Sequence, residues 1–282
     1  MIDIDASDGT NKLPRSERLV FMREDLSLAY TVIGNAGPAV VFLHGLGSTG
    51  AQFEQDGEII AAAGYQCIIP DLRGHGRSDC PQPLTPDTMT VSTIADDILA
   101  LLDDLDIEQA HFVGNSMGGV VALDIIERAP RRVQSLTTFG SAYRLNIPRI
   151  AVALQNAISK LFGAKRLANL TAKSVSRHEV TRDFIRDTFS TLDLDMVQAA
   201  QKTLRRYDYL DAACAFDGPI LILRGDADKS INRYLPATLK ALEGQKDVRV
   251  TPIEDAGHLT NLDRPDIVRD AILGFLKEQA SR

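Results

Sequence analysis

The chain has no tryptophan, five histidines, three cysteines and no long apolar run. Each shortage excludes something. Cys67, Cys80 and Cys214 are odd in number and scattered, which suits neither a disulfide framework nor a cysteine-based zinc site. There is no H-E-x-x-H stretch and no histidine pair at ligand spacing, so no metal is expected. No apolar run approaches the roughly 18 residues of a membrane span. The opening, MIDIDASDGTNKLPRSERL, lacks the basic and apolar regions of a secretory signal, and with Met1 in place no removed leader is expected. A basic balance is missing too. Lys and Arg number 31 against 38 Asp and Glu, a net charge of −7, which makes a poor partner for nucleic acid. The absent tryptophan removes one common device for stacking on rings or halides. What remains, 282 residues at 44% hydrophobic and 24% charged, is ordinary for a soluble protein, and the cytoplasm is the expected compartment.

The first residues, to about 18, read as a loose tail. Leu19–Arg23 and Leu26–Ile33 alternate at period two around Glu24-Asp25, the pattern of an antiparallel hairpin. Ala39–Leu43, Cys67–Pro70, His111–Val113, Val133–Phe139 and Ile220–Leu223 are short continuous apolar runs, suited to strands buried on both faces of a parallel sheet. Helical patterns alternate with them, over Thr49–Ala63, Val91–Leu105, Met117–Arg128 and Ile267–Glu278. Such alternation predicts an α/β sheet with helices on both faces. Residues 141–213 break the rhythm. They hold helical patterns (Ile150–Phe162, Arg182–Leu192, Met196–Tyr209) and no strand candidate. A helix-only insert of this kind reads as a cap at one end of the sheet, dividing a core of 19–140 and 214–282. It carries twelve Lys and Arg against seven Asp and Glu. The plain reading is solvated helix faces that also attract the acidic body; the sharper one is a cap that favours an anionic substrate.

The strongest chemical signal is Gly114-Asn115-Ser116-Met117-Gly118-Gly119, after an apolar strand and before a helical run. G-x-S-x-G in that setting is a nucleophile elbow: glycines permit a turn too tight for side chains, and the strained serine is lifted clear of the sheet. A serine nucleophile needs a base, and the base an orienting acid. His258 follows a late strand in a glycine-flanked loop, whereas His111 falls within a buried strand and His178 in the insert. The acid is Asp226 or Asp228, after Ile220–Leu223; Asp228 is favoured because a short loop after Gly225 would let it reach back to His258. Backbone N–H groups of Met117 and of Leu46, in His44-Gly45-Leu46-Gly47, are the oxyanion donors expected. A rival exists. Gly45-Leu46-Gly47-Ser48-Thr49-Gly50 is a formal G-x-G-x-x-G, with Asp71 21 residues beyond its last glycine, which satisfies the dinucleotide fingerprint. Against it, a hairpin precedes this loop, no Tyr-x-x-x-Lys pair is present, and the elbow, acid and histidine would go unexplained.

The chain resembles the α/β-hydrolase family from about residue 19 to 279, on HGLG at His44–Gly47, DLRGHGRSD at Asp71–Asp79, GNSMGG at Gly114–Gly119, GDAD at Gly225–Asp228 and AGH at Ala256–His258. The resemblance implies a mostly parallel eight-stranded sheet with a helical cap. It also implies Ser116 as nucleophile, His258 as base, Asp228 as acid, and Leu46 and Met117 as oxyanion donors. One departure is Lys229-Ser230-Ile231-Asn232 after the acid, where many relatives have a hydrophobic pair and proline. The function expected is a serine hydrolase of a carboxylic ester or lactone, with no cofactor and a small-molecule substrate, an anionic one included. The alternatives are hydrolysis of a carbon–carbon bond in ring-fission products, which GNSMGG resembles, a thioesterase or acyltransferase, and a non-catalytic receptor on the same fold. Tyr143, Leu154, Ile158, Phe162 and Phe184 are the cap residues expected to line the pocket, each with plain packing as its other reading.

Overall fold

The structure, a computed structural model, describes residues 16–23 and 26–280, without the side chains of 155–156 and 158–165. The tail before Ser16 and the predicted Glu24-Asp25 turn lie outside the described residues. In chain order the elements are β1 (Ser16–Arg23), β2 (Leu26–Ile33), β3 (Ala39–Leu43), α1 (Glu54–Ala62), β4 (Gln66–Pro70), α2 (Val91–Asp104), β5 (Ala110–Asn115), α3 (Met117–Arg128) and β6 (Val133–Phe139). Then come β7 (Arg144–Asn146), α4 (Arg149–Val175), α5 (Glu179–Ser190), α6 (Leu194–Leu204), β8 (Arg206–Asp208) and α7 (Leu210–Ala215). The chain ends with β9 (Ile220–Gly225), α8 (Lys229–Asn232), α9 (Leu235–Ala241), β10 (Val248–Ile253), α10 (Thr260–Asp263) and α11 (Pro265–Ala280).

Among the described residues one eight-stranded sheet runs β1-β2-β4-β3-β5-β6-β9-β10. The β1–β2 and β2–β4 pairs are antiparallel and all the others parallel. The continuous apolar runs explain this, since the inner parallel strands β3, β5, β6 and β9 are covered on both faces, whereas β10 at the sheet edge is largely exposed. In β3, Val41 and Leu43 pack with residues of α2 and α3. Val40 and Phe42, one residue out of phase, pack with residues of α1 and α11. A strand with period two therefore feeds two cores.

Four expectations need correction. The first strand begins at Ser16, so residues 16–18 belong to the sheet edge. The insert is not free of strands: β7 and β8 pair antiparallel, Leu145 opposite Tyr207, and close the base of the inserted segment. Three-residue strands carry too little periodicity to be read from sequence. For the same reason the helix expected over Met196–Tyr209 stops at Leu204. The helix expected over Ile150–Phe162 continues to Val175.

Candidate active site

Register brings the signature residues together. Leu43 of β3 pairs with Gly114 of β5, so the loops leaving these neighbouring strands emerge side by side. Gly225 of β9 pairs with Ile253 of β10, which does the same for the loops carrying Asp228 and His258. All four loops leave the carboxyl ends of parallel strands, where open α/β sheets form their crevices.

Ser116 sits between β5 and α3 with φ 53° and ψ −115°, a conformation costly for a residue with a Cβ. Its backbone is held on both sides: its N–H donates to the Phe139 carbonyl at 3.0 Å and its carbonyl accepts from the Ser141 hydroxyl at 3.0 Å. The glycines around it are steric necessities. A Cβ on Gly118 would stand 2.0 Å from the Leu43 carbonyl oxygen, and one on Gly114 would stand 2.5 Å from the Gly119 nitrogen. Met117 opens α3, and the first N–H groups of a helix have no partner within it. Met117's side chain is buried, while Leu46 lines the cavity beside Ser116.

His258 Nδ1 and Asp228 Oδ2 lie 2.8 Å apart. Asp228 rather than Asp226 is the carboxylate on His258; Asp226 is exposed. The unusual Lys229–Asn232 stretch forms α8, and Asp228 caps it, its Oδ1 accepting from the Ser230 and Ile231 N–H groups at 3.1 and 3.2 Å. One oxygen is thus fixed by a helix N-terminus and the other is free to face the imidazole. Burial alone would raise the Asp228 pKa. The charge of His258, its hydrogen bond and those from Ser230 and Ile231 outweigh burial and hold the carboxyl below its ordinary value.

Buried polar residues brace these loops. His44 Nε2 accepts the Leu72 N–H at 3.0 Å, so the proton is on Nδ1, which donates to the Gly45 carbonyl at 2.8 Å. Burial depresses the His44 pKa and keeps the ring neutral for that geometry. Asn115 Nδ2 donates to the His258 carbonyl at 2.9 Å, linking elbow and histidine. Gln52 then joins Asn115 Oδ1 (3.2 Å) to Asn261 Oδ1 (3.1 Å) and accepts from the Ser48 hydroxyl (2.9 Å). Asn261 continues to Asp56 at 2.6 Å, and Asp56 to Arg269 at 2.6 Å. Asn115 fills the unspecified position of G-x-S-x-G, and Gln52, Asn261 and Asp56 belong to no motif, so the sequence carried no signal for them. The acid of the dinucleotide fingerprint is committed elsewhere: Asp71, buried, accepts from the Gly50 N–H at 2.7 Å and from Arg77 Nε at 2.9 Å. It clamps the glycine loop instead of facing a ribose.

Ser116, Asn115, Leu46 and His258 line a cavity of about 220 Å³, smaller than the roughly 300–1000 Å³ of pockets for drug-sized ligands. Its other walls are Leu167, Thr171 and Val175 of α4, residues of α5 including Phe184 and Phe189, and Leu194, Val197, Gln198 and Gln201 of α6. Of the five expected pocket residues, Phe184 lines it. Tyr143 does not. It is fully buried in the core, its N–H donated to Thr238 Oγ1 at 2.9 Å and its carbonyl accepting from Tyr209 N–H, ties that turn it inward just after β6. Leu154 does not either; it is 62% exposed on α4. The side chains of Ile158 and Phe162 lie outside the described residues. The insert's cations do not enter the described lining. Arg144 pairs with Asp208, Arg182 with Glu179, and Arg186 with Glu179 and Asp183.

Known proteins place the chain in a family and a fold. A 3-oxoadipate enol-lactonase from Acinetobacter baylyi is 27% identical over 274 residues, covering 92% of this chain and 96% of that one. A 2-hydroxy-6-oxononadienedioate/2-hydroxy-6-oxononatrienedioate hydrolase from Pseudomonas putida is 27% identical over 285 residues, with 93% and 96% covered. Among solved structures, a thermophilic esterase from Thermogutta terrifontis matches with a TM-score of 0.81 at 23% identity, covering 93% and 99%. The family model of the α/β hydrolase fold matches residues 38–265, and with the sheet order and the loop geometry this makes the chain a member of the α/β-hydrolase family.

Proposed function

We propose that the protein is a serine hydrolase of carboxylic esters or lactones. The observation that carries this reading is the Asp228–His258 hydrogen bond of 2.8 Å beside a strained serine that lines the same cavity as the histidine. With its proton on Nδ1 and Asp228 behind it, neutral His258 keeps Nε2 as a base. It takes the Ser116 proton as Oγ attacks the substrate carbonyl. The N–H groups of Leu46 and Met117 receive the oxyanion. Collapse expels the alcohol, protonated by His258, and leaves an acyl group on Ser116. Water activated by His258 then releases the acid. Asp228 keeps the imidazole in the right tautomer and stabilises its cation. In this reading α4, α5 and α6 act as the cap, closing the cavity from the side opposite the sheet loops. Hydrolysis of a carbon–carbon bond is the second reading, favoured by the Pseudomonas putida relative. That relative's named substrates are dioates, whereas the described lining here contains no Lys or Arg.

The test is acid release at constant pH across esters, lactones, thioesters and one ring-fission product, with Ser116→Ala alongside. Turnover that falls by several powers of ten in the variant supports the reading. Equal rates in the two proteins overturn it.

A further inference from the structure

The cavity's chemistry narrows the substrate, given the serine-hydrolase reading above. Its described walls are apolar with a few neutral polar groups, and no Lys, Arg, Asp or Glu is among them. Four buried side-chain atoms have no hydrogen-bond partner among the described residues: His75 Nε2, Thr181 Oγ1, Gln198 Nε2 and Gln201 Oε1. Two of these four belong to residues that line this one cavity. Buried polar atoms are almost always partnered, so a pair of orphans on the wall of a reaction cavity points to a ligand.

Local structure places the pair. Leu194, Val197, Gln198 and Gln201 fall at i, i+3, i+4 and i+7 of α6, the stripe that a helix presents to one side. A stripe of this kind is ordinarily apolar throughout. Here two of its four positions are amides, one turn apart, with side-chain origins about 5–6 Å from each other. They are not bonded to one another, although one orphan is a donor and the other an acceptor. An amide has no net charge, so it does not compensate a buried carboxylate as Arg or Lys would.

We propose that Gln198 and Gln201 are specificity-determining residues, and that the site takes an uncharged ester or lactone with an apolar body and one neutral donor–acceptor group. That group is a hydroxyl or a secondary amide, whose acceptor meets Gln198 Nε2 and whose donor meets Gln201 Oε1. The basic surface of the insert then acts outside the cavity, and a carboxylate on the substrate lowers turnover.

Four methyl esters of similar length test this: a plain alkanoate, its hydroxy derivative, an N-acyl amino ester and the half-ester of a diacid. Each is assayed by acid release with wild type, Gln198→Met and Gln201→Met, and the readout is the ratio of kcat/KM for each ester over that for the alkanoate. The ratio is taken within one protein, so a general loss of folding or activity cancels. For wild type the hydroxy or the amide ester should exceed the alkanoate about tenfold, and the half-ester should fall below it. Either substitution should bring the favoured ratio near one. Which of the hydroxy and amide esters is favoured separates the two sources of the group. A wild-type preference for the half-ester overturns the proposal. So does a ratio near one in wild type, with solvent alone serving the amides, or a ratio untouched by both substitutions. Calorimetric binding of the same esters to Ser116→Ala reads the cavity without turnover. About tenfold weaker binding of the hydroxy or amide ester after Gln198→Met or Gln201→Met in that background supports the assignment even if the nucleophile reading fails. Equal binding overturns it even if that reading holds.

Discussion

Ser116 is held in a backbone state that costs the fold something. At φ 53° Ser116 carries strain on the order of 1–3 kcal/mol, which glycine would escape. Ser116→Gly should therefore be more stable than Ser116→Ala by about 1 kcal/mol in urea titrations, while both lack the hydroxyl. Equal stabilities would mean that the elbow is not strained. Asp228 is buried, and its carboxyl lies below the ordinary value despite that burial. Its ionised form stabilises the fold at pH above the unfolded value of about 3.9, and the contribution is lost as pH falls through the lower folded value. Asp228→Asn should flatten the fall of unfolding free energy below about pH 4. The same substitution should lower kcat by roughly three to four powers of ten, because Asn presents an N–H where His258 needs an acceptor for its Nδ1 proton.

At the scale of elements the site depends on close approach. Helix α3 comes so near β3 that a Gly118 Cβ would overlap backbone, which cannot rotate away. Gly118→Ala should displace the helix that begins at Met117 and cost several kcal/mol, seen as a lower urea midpoint together with lost activity. The insert is bound to the histidine loop as well. The Val175 carbonyl accepts the His258 N–H at 2.9 Å, and the Ser176 hydroxyl donates to Asp263, whose other oxygen accepts the Gly257 N–H at 2.7 Å. Ser176→Ala should leave that buried carboxylate one bond short and destabilise the protein by about 1–3 kcal/mol. A change below about 0.5 kcal/mol would show the tie to be dispensable. These contacts also explain what could be read without the structure. Strand–helix alternation and the elbow are local patterns set by strand period and by glycine sterics, and they gave the parallel sheet and the placement of Ser116, Asp228 and His258. The pocket wall is a tertiary product. Leu154 and Phe184 both fit amphipathic helices, yet only the packing of α4 and α5 decides that the first faces solvent and the second the cavity. Gln198 and Gln201 were not singled out in the sequence, because two amides in an amphipathic helix acquire a meaning only once the cavity is seen.

Over the whole molecule, three histidines are sealed into the fold as neutral rings. His44 and His75 stack edge-on at 5.1 Å behind the glycine loop, and His111 sits in β5 against the Ser135 hydroxyl at 2.7 Å, with the Tyr65 ring edge at 6.3 Å. Burial lowers all three, His75 to about 3 and His111 to about 4. The unfolded chain takes up these protons near pH 6.5, while the folded chain resists until the lower values. The stability they support is thus complete above about pH 6.5 and is lost as pH falls from there toward the folded values, at about 1.4 kcal/mol per pH unit for each ring. For His111 this window lies above that of Asp228, so those two can be separated by titration. At its ring nitrogen His111 touches none of the residues that line the cavity beside Ser116, which makes it the cleaner probe. His111→Gln keeps a polar group near Ser135 without a titrating proton. Between pH 6.5 and 4 its unfolding free energy should fall less steeply than that of wild type by about 1.4 kcal/mol per pH unit, and below pH 4 the two should run parallel. Identical slopes across the upper window would mean that the ring takes up its proton in the folded protein, and that β5 is open to solvent at acid pH.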